Sequence, residues 1–460
     1  MNKFLIVLTN LIVLIIISTS LLVSSCAQIG MPTGGPKDSL PPKLIKATPP
    51  NGSVNVRTNK IVLNFNEYIE LQNLQENLLV SPTQNKNPTI TSTPNSIIIK
   101  FKDTLTPNTT YTINFGNTVK DINEGNVYTN LTYLFATGNT IDSQTVIGKV
   151  ILAETGTVDS SLNVLLYINA NDSSVNKKKP NYIAKVDGEG NFEFSNLPKA
   201  AFTIYALKDG DGSRTYNSPS ELFAFAEVAP IITDEITLYA YATNKETNKT
   251  VKIKDKIKIE KKLRYSTSLS SSLDILKPIT VNFNNPLKKY DSSHIYITDT
   301  FYNKIKGVKL SLDSAKKQIS IQANWLPDMP LVLLIDTLAI VDTVGNKLSK
   351  NDTTRFYTMR KQDYGRVNIR FNGLNLTNQP VLIFLIGDDI KYSFPLLSNE
   401  WVNDLILPAD YTVRILYDTD KDGKWTTGDY AKKLQPEKNI TLPQKLAVKA
   451  DWDNDRDINL

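Results

Sequence analysis

Short strands in which apolar and polar residues alternate, separated by tight turns, fill this chain and recur in the same order. The segment Ile61–Asn66 reads IVLNFN and is matched by Ile279–Asn284, which reads ITVNFN. The turn Asp121–Asn126 is likewise matched by Asp342–Asn346. Alternation with a period of two places successive side chains on opposite faces of a strand. A repeated pattern of this kind predicts tandem β-sandwiches with few helices.

The first group of strands, from Pro50 to Gly138, carries a fixed series of motifs. They are Pro-x-Asn-Gly before the first strand, a strand ending in Asn-Phe-Asn, the segment Leu-x-Pro-Asn-x-x-Tyr, an Asp-led turn ending in Gly-Asn, and a closing Phe-x-Thr-Gly. This series resembles the bacterial Ig-like domain of S-layer type. The resemblance implies an Ig-like sandwich over this segment.

A second pattern begins at Val146. It contains the strands Val146–Val150, Val164–Tyr167 and Phe202–Leu207, with a hairpin turn at Asp187–Asn191. It resembles the transthyretin-like sandwich that occurs as a regulatory domain in carboxypeptidases and as a stalk repeat in surface proteins. Both patterns return later in the chain, the second of them from Val367.

We therefore predict an all-β fold of four tandem sandwiches, Ig-like, transthyretin-like, Ig-like and transthyretin-like, after a cleaved signal peptide. Stacked sandwiches of this kind would form an elongated stalk. The predicted ranges are a signal peptide at 1–25, a flexible tether at 26–40, an Ig-like domain at 41–140, a transthyretin-like sandwich at 141–245, a second, divergent Ig-like domain at 246–361 and a second transthyretin-like sandwich at 362–460.

The leader combines a positive charge at Lys3 with an uncharged apolar run from Phe4 to Val23, which is typical of a secretory signal. Val23-Ser24-Ser25-Cys26 resembles the bacterial lipobox, which implies cleavage before Cys26 and diacylation of that cysteine. Two acyl chains are enough for stable anchoring in a membrane. The alternatives are an uncleaved span and a secreted protein with a chance cysteine.

Composition excludes several classes of enzyme. Cys26 is the only cysteine and His294 the only histidine, so a cysteine or histidine-dependent triad and a histidine zinc site are not expected. Enzymes that need only carboxylates remain open. The net charge of +6 is small for 460 residues and does not call for nucleic acid as a partner.

One acidic loop has the spacing of a calcium site. Asp418, Asp420, Asp422 and Asp429 occupy positions 1, 3, 5 and 12 of a calcium loop, with Gly423 at position 6 for the sharp turn. The loop follows a strand instead of a helix, and position 12 is Asp where Glu is usual. Any binding is therefore expected to be weaker or structural, and a surface loop stabilised by its own Asp side chains is the alternative.

The corresponding loop of the first copy offers a weaker candidate calcium site, formed by Asp209, Asp211, Ser213 and Asn217. No cofactor is required by the sequence beyond possible structural calcium. Aspartates also alternate from Asp451 to Asp457, and we predict a solvated tail there, with a contribution to cation or partner binding as the alternative.

These observations favour a non-catalytic, membrane-anchored envelope lipoprotein that acts as a multidomain spacer and binding scaffold for a protein or glycan partner. An accessory subunit of an outer-membrane export or assembly complex and a carboxylate-dependent glycan-active enzyme are the alternatives. Surface-export signals of related lipoproteins carry acidic residues after the cysteine, whereas Ala27–Met31 has none. We therefore expect anchoring in the outer membrane through Cys26, on the periplasmic side.

Overall fold

The computed structural model describes residues 7–16, 38–169, 171–226, 235–243 and 262–460. The chain divides into two compact units, Met1–Asp142 and Ser143–Leu460. Residues 7–16 are helical, and no helix in the described ranges has both the length and the apolar character needed to cross a membrane. Cys26 and the first part of the predicted tether lie outside the described residues.

The first unit contains one β-sandwich. One sheet has the order β1-β2-β6-β5 and the other β4-β7-β9, while β3 and β8 form a separate pair. A short helix, α1 (Leu74–Asn77), precedes β4. The strands are β1 (Leu44–Thr48), β2 (Lys60–Phe65), β3 (Ile69–Leu71), β4 (Leu79–Ser81), β5 (Thr89–Thr93), β6 (Ser96–Lys100), β7 (Thr110–Gly116), β8 (Val119–Asp121) and β9 (Leu131–Ala136).

The core of this sandwich follows directly from the alternation in the sequence. Ile61 and Leu63 of β2 are fully buried and pair across the sheet with Ile99 and Ile97 of β6. The opposite sheet contributes Tyr111 and its neighbours, and the Tyr111 ring stacks on a second buried aromatic ring at 5.1 Å. The period of two thus gives each sheet one apolar face.

The second unit contains three more sandwiches. The second sandwich has sheets β13-β10-β16 and β12-β11-β14-β15, with a short helix, α2 (Ser174–Lys177), after β11. Its strands are β10 (Gln144–Leu152), β11 (Asn163–Ile168), β12 (Tyr182–Lys185), β13 (Asn191–Leu197), β14 (Phe202–Leu207), β15 (Phe223–Phe225) and β16 (Ile236–Ala240).

The third sandwich has sheets β17-β19-β23-β22 and β18-β26-β24-β21, with β20 and β25 as a separate pair. A 3-10 turn, Ser292–His294, precedes β21. Its strands are β17 (Tyr265–Thr267), β18 (Ser272–Leu273), β19 (Ile279–Phe283), β20 (Leu287–Tyr290), β21 (Ile295–Thr298), β22 (Lys309–Leu312), β23 (Gln318–Gln322), β24 (Pro330–Ile335), β25 (Ile340–Asp342) and β26 (Asp352–Thr358).

The fourth sandwich has sheets β30-β27-β34 and β29-β28-β31-β32, and β33 also pairs with β31. Two 3-10 turns, Lys361–Asp363 and Leu376–Asn378, precede β27 and β28. Its strands are β27 (Gly365–Asn372), β28 (Pro380–Ile386), β29 (Asp389–Pro395), β30 (Glu400–Ile406), β31 (Ala409–Tyr417), β32 (Lys438–Thr441), β33 (Leu446–Val448) and β34 (Asp453–Asn459).

The repeat in the sequence corresponds to a repeat in sheet order. The order β13-β10-β16 of the second sandwich returns as β30-β27-β34 in the fourth, and in each case the last strand runs parallel to the middle one. The order β1-β2-β6-β5 of the first sandwich returns as β17-β19-β23-β22 in the third. The all-β expectation with tandem sandwiches is confirmed.

The aspartates near the C-terminus do not form a solvated tail. Asp453, Asp455 and Asp457 lie on β34, and Asp451 lies in the turn before it. β34 pairs in parallel with β27, so that Asp453 is beside Arg366 and Asp457 beside Arg370. Arg370 Nε donates to the Asp457 carboxylate at 2.6 Å, and Arg366 Nη1 is 3.5 Å from the Asp453 carboxylate. Arginines on the partner strand offset the repulsion between the carboxylates, which the sequence of the segment alone could not reveal.

The Asp-led turns recur because a buried carboxylate holds each of them together. Asp342 is fully buried and accepts hydrogen bonds from the backbone N–H groups of Val344 (3.0 Å) and Asn346 (2.8 Å) and from the side-chain amide of Asn285 (3.0 Å). Burial by itself would raise the pKa of Asp342, but these hydrogen bonds outweigh it and lower the pKa below its usual range.

We expect the substitution Asp342→Asn to reduce the free energy of unfolding of the second unit by about 1–3 kcal/mol at neutral pH. The amide nitrogen of Asn cannot accept the N–H donors that the replaced carboxylate oxygen accepts. The stabilisation from a lowered pKa is complete above the ordinary pKa of Asp and is lost as the pH falls through the lower folded value. Denaturant unfolding at several pH values should therefore show a weaker acid dependence in the variant. Asp389→Asn, at an exposed position, is the control and should change neither quantity.

Candidate functional site

A long loop of the fourth sandwich packs against the second sandwich. We call residues 418–439, which follow β31 and extend to the start of β32, the docking loop. The second and fourth sandwiches are separated in the sequence by the whole third sandwich, yet both belong to one compact unit. Direct packing between them differs from the linear stalk that we expected from the order of the domains.

Tyr430 is the centre of this contact. Its side chain is 9% exposed, and its ring lies 5.0 Å from that of Phe223 and 5.1 Å from that of Phe225, both on β15. The Tyr430 hydroxyl donates to the backbone carbonyl of Asp172 at 2.7 Å and lies 3.0 Å from the hydroxyl of Tyr205. The edge-to-face geometry is the favoured one for aromatic pairs, and the buried hydroxyl has its partners. Burial raises the pKa of Tyr430, so it stays neutral at physiological pH.

The remaining polar contacts are mostly donated to backbone carbonyls of the second sandwich. Gln435 Nε2 donates to the carbonyl of Phe225 at 2.9 Å, and Thr427 Oγ1 donates to the carbonyl of Ala242 at 3.0 Å. Asn439 donates through its backbone N–H to Ala153 (3.0 Å) and through Nδ2 to the Glu154 carbonyl (2.7 Å). These polar contacts therefore depend on the backbone conformation of the second sandwich.

Two glycines allow the two surfaces to approach. A Cβ atom on Gly428 would lie 2.7 Å from the Tyr241 ring, and one on Gly156 would lie 2.5 Å from the Asn439 carbonyl oxygen. Lys433 completes the edge of the contact, with Nζ 3.1 Å from the Asp172 carboxylate and 3.7 Å from the Tyr430 ring centre. A cation over an aromatic face is attracted by the ring.

Three carboxylates converge inside the docking loop. Oxygen atoms of Asp418, Asp420 and Glu437 all lie within 4.8 Å of one another. Asp418 is 4% exposed and Glu437 6%. No basic side chain of the described residues lies within 4.0 Å of any of the three. We call these residues the docking-loop triad.

The triad also holds the loop in shape. Glu437 accepts the backbone N–H of Thr419 at 2.6 Å and that of Thr426 at 3.0 Å, and Asp418 accepts the N–H of Gly423 at 2.8 Å. The Thr426 hydroxyl donates to Asp420 at 2.7 Å, and this hydrogen bond lowers the pKa of Asp420. Buried like charges repel, and neutral N–H donors compensate them only in part.

The other two residues of the predicted calcium loop lie outside this convergence. Asp422 accepts the backbone N–H of Lys424 at 2.7 Å, and Asp429 forms an ion pair with Lys432 at 2.9 Å. Glu437 was absent from the sequence-based set because it follows Asp418 by more residues than a 12-residue calcium loop allows. Only the folding of the loop brings its carboxylate back to Asp418.

The second sandwich has a corresponding group at the loop after β14. Oxygen atoms of Asp209, Asp211 and Glu221 lie within 4.8 Å of one another. Asn217 Nδ2 donates to Asp211 at 2.7 Å, and this hydrogen bond lowers the pKa of Asp211 strongly. The Ser213 hydroxyl donates to the carbonyl of Thr215. Asp211 and Asp209 therefore join Glu221, which the sequence-based set did not contain, while Asn217 and Ser213 hold the loop.

Comparisons with known proteins agree with the fold of the first sandwich. Residues 38–137 match the family described as a bacterial Ig-like domain. This match confirms the prediction of a bacterial Ig-like domain between Pro50 and Gly138. No curated protein matches the chain in sequence.

Several solved structures show distant similarity to the chain. A fragment of alpha-2-macroglobulin from Escherichia coli shares 16% identity over 40% of this chain and 72% of that chain, with a TM-score of 0.20. The TIE protein of Bacillus anthracis shares 10% identity over 93% and 76%, with a TM-score of 0.16. The major pilin subunit of Bacillus cereus shares 10% identity over 68% and 99%, with a TM-score of 0.15. TM-scores this low carry no information about function.

We expect Tyr430→Ala to lower the free energy of unfolding of the second unit by about 3–5 kcal/mol, because it empties the aromatic contact. Tyr430→Phe keeps the ring and should cost about 1 kcal/mol through the lost hydrogen bonds. Denaturant unfolding measures both values, and hydrogen exchange of β15 should rise in the alanine variant. The matched control is Leu434→Ala in the same loop, where the side chain is 55% exposed. Equal stability of Tyr430→Ala and the parent would contradict docking of the loop.

Proposed function

We propose that this chain is a non-catalytic scaffold of the bacterial cell envelope, anchored to a membrane through a lipidated Cys26 and presenting its sandwiches to a protein or glycan partner. The observation that carries the proposal is the packing of the docking loop on the second sandwich around Tyr430. It joins two sandwiches that the sequence separates, which suits a rigid support better than a string of independent spacers.

The docking-loop triad has the wrong setting for glycan hydrolysis. Glycosidases place two carboxyl groups about 5–9.5 Å apart on either side of an accessible bond. The oxygen atoms of the docking-loop triad lie closer together than the mechanism of an inverting glycosidase requires. Asp418 and Glu437 are also buried, and they accept hydrogen bonds from backbone N–H groups of their own loop. A sugar ring could not reach between them.

We propose a structural divalent cation, calcium by its ligand type, at the docking-loop triad, with a weaker site of the same kind at Asp209, Asp211 and Glu221. Calcium takes carboxylate oxygen ligands in flexible geometries. What supports the site is the convergence of three carboxylates, two of them buried, with no basic side chain of the described residues within 4.0 Å. A cation there would stiffen the loop that holds the second and fourth sandwiches together.

Isothermal titration with calcium should detect this site, and melting should rise at millimolar calcium because a ligand that binds only the folded state stabilises it. Glu437→Gln should reduce calcium affinity by about tenfold or more, since it removes one of three charged ligands. Asp429→Asn is the matched control, because Asp429 pairs with Lys432 outside the triad. Loss of binding in the Asp429 variant but not in the Glu437 variant would favour the linear calcium-loop arrangement. The absence of both heat and a melting shift in the parent would reject the cation.

The anchor and the side of the membrane are tested in cells. We expect the parent chain in the membrane fraction after washing with concentrated salt, with residues 1–25 removed and an acyl mass present, and Cys26→Ser without the acyl mass. Protease added to intact cells should leave a periplasmic chain undigested. A parent chain whose intact mass still includes residues 1–25 and contains no acyl chain would show an uncleaved span instead of a lipid anchor.

Purification from solubilised membranes distinguishes the scaffold hypothesis from the alternative of an accessory assembly subunit. A scaffold should release its protein or glycan partner reversibly, and Tyr430→Ala should weaken that binding by loosening the second unit. A stoichiometric membrane protein complex that survives purification would replace the scaffold with an accessory subunit of an export or assembly machine.

A further inference from the structure

The positive charge of this protein is concentrated in the third sandwich. Residues 262–361 contain 15 Lys and Arg against 8 Asp and no Glu, whereas the whole chain has 52 basic and 46 acidic residues. The excess of seven within this sandwich is larger than the net charge of +6 on the entire chain, so the remainder is close to neutral. A sandwich of this charge carries a positive potential that attracts anionic surfaces.

The same sandwich presents two aromatic side chains at the end of a turn. Phe301 is 83% exposed and Tyr302 56% exposed, and they lie in the turn that follows β21. We call these two residues the aromatic tip. A largely exposed phenylalanine is unfavourable in water, and a contiguous exposed apolar patch with polar residues around it marks an interaction site.

The turn that carries the aromatic tip is held in one conformation. Asp299 Oδ1 accepts the backbone N–H groups of Phe301 (2.8 Å) and Asn303 (2.9 Å), and Oδ2 accepts the side-chain amide of Asn303 (2.9 Å). Tyr302 has a φ of 66°, in the left-handed region that a bulky residue rarely adopts. Backbone strain of this kind persists where the surroundings impose it and is concentrated at functional sites.

Lysines lie immediately beside the tip. Lys304 and Lys306 are both exposed, and neither forms an ion pair within 4.0 Å in the part of the chain that the structure describes. Lys304 Nζ lies 3.8 Å from the centre of the Tyr296 ring, which holds this charge at the base of the turn. Aromatic rings with lysines behind them match the boundary between lipid headgroups and acyl chains, where rings insert and lysines meet phosphates.

We propose that the third sandwich binds an anionic phospholipid surface through the aromatic tip and the adjacent Lys304 and Lys306. This contact is independent of Cys26 and would bring the third sandwich onto the membrane in addition to the anchor. Lysines alone would suit any polyanion, including nucleic acid or an acidic glycan. The exposed phenylalanine favours a membrane, because only a membrane offers an apolar layer beneath the charges.

Vesicle sedimentation tests the contact with a chain that begins at residue 26 and carries Cys26→Ser. This chain keeps every described strand of both units, but has neither leader nor acyl chain. We expect binding to equimolar phosphatidylglycerol and phosphatidylcholine vesicles, with about tenfold weaker binding to phosphatidylcholine alone. Binding should fall by about tenfold between about 0.1 M and about 0.5 M salt, because exposed charges are screened.

Variants distinguish binding through the aromatic tip from binding through the overall positive charge of the third sandwich. The double variant Phe301→Ser and Tyr302→Ser should bind about tenfold more weakly, and Lys304→Gln with Lys306→Gln should lose most of the preference for phosphatidylglycerol. Leu397→Ser is the matched control, because Leu397 is 89% exposed on the fourth sandwich, and it should bind like the parent. Unchanged melting curves show that the variants fold.

Three results would overturn the proposal. They are equal binding to both kinds of vesicle, an equal loss with Leu397→Ser, and unchanged vesicle binding in the aromatic double variant. Binding to heparin or duplex DNA as tight as that to the anionic vesicles, and insensitive to the aromatic double variant, would assign the basic sandwich to a polyanion instead of a membrane.

Discussion

The second unit depends on one aromatic contact made across a long sequence interval. Tyr430 packs against Phe223 and Phe225 while its hydroxyl donates to a backbone carbonyl of the second sandwich. Apolar burial supplies most of the free energy of such a contact, and satisfied polar atoms prevent a penalty. Because the fourth sandwich carries Tyr430 on a loop, the two sandwiches are joined without sharing a sheet.

The docking loop has two structural roles. It buries Tyr430 against a neighbouring sandwich, and it gathers Asp418, Asp420 and Glu437 into a group with buried members. Carboxylates this close repel one another, so their arrangement depends on N–H donors and would be strengthened by a cation. The proposed cation would therefore act on the contact between sandwiches as well as on its own loop.

Predictions from the sequence were most accurate where the alternation of apolar and polar residues and the turn-forming residues indicate the same structure. Alternation located Ile61 and Leu63 in the core, and the Asp-led turns located Asp121 and Asp342, since these features need only neighbouring residues. It was weakest where a distant strand or loop supplies the partner. The aspartates of β34 looked like a solvated tail because Arg366 and Arg370 become their neighbours only through parallel pairing. Glu437 was missed for the same reason.

The sequence by itself determined the all-β class, the repeated order of strands and turns, and the absence of thiol chemistry beyond Cys26, because local periodicity and composition are sufficient for these. The tertiary structure alone decided which carboxylates meet, which sandwiches pack together, and that Phe301 and Tyr302 stay exposed. These relations arise from contacts between residues far apart in the chain, and no local pattern records them.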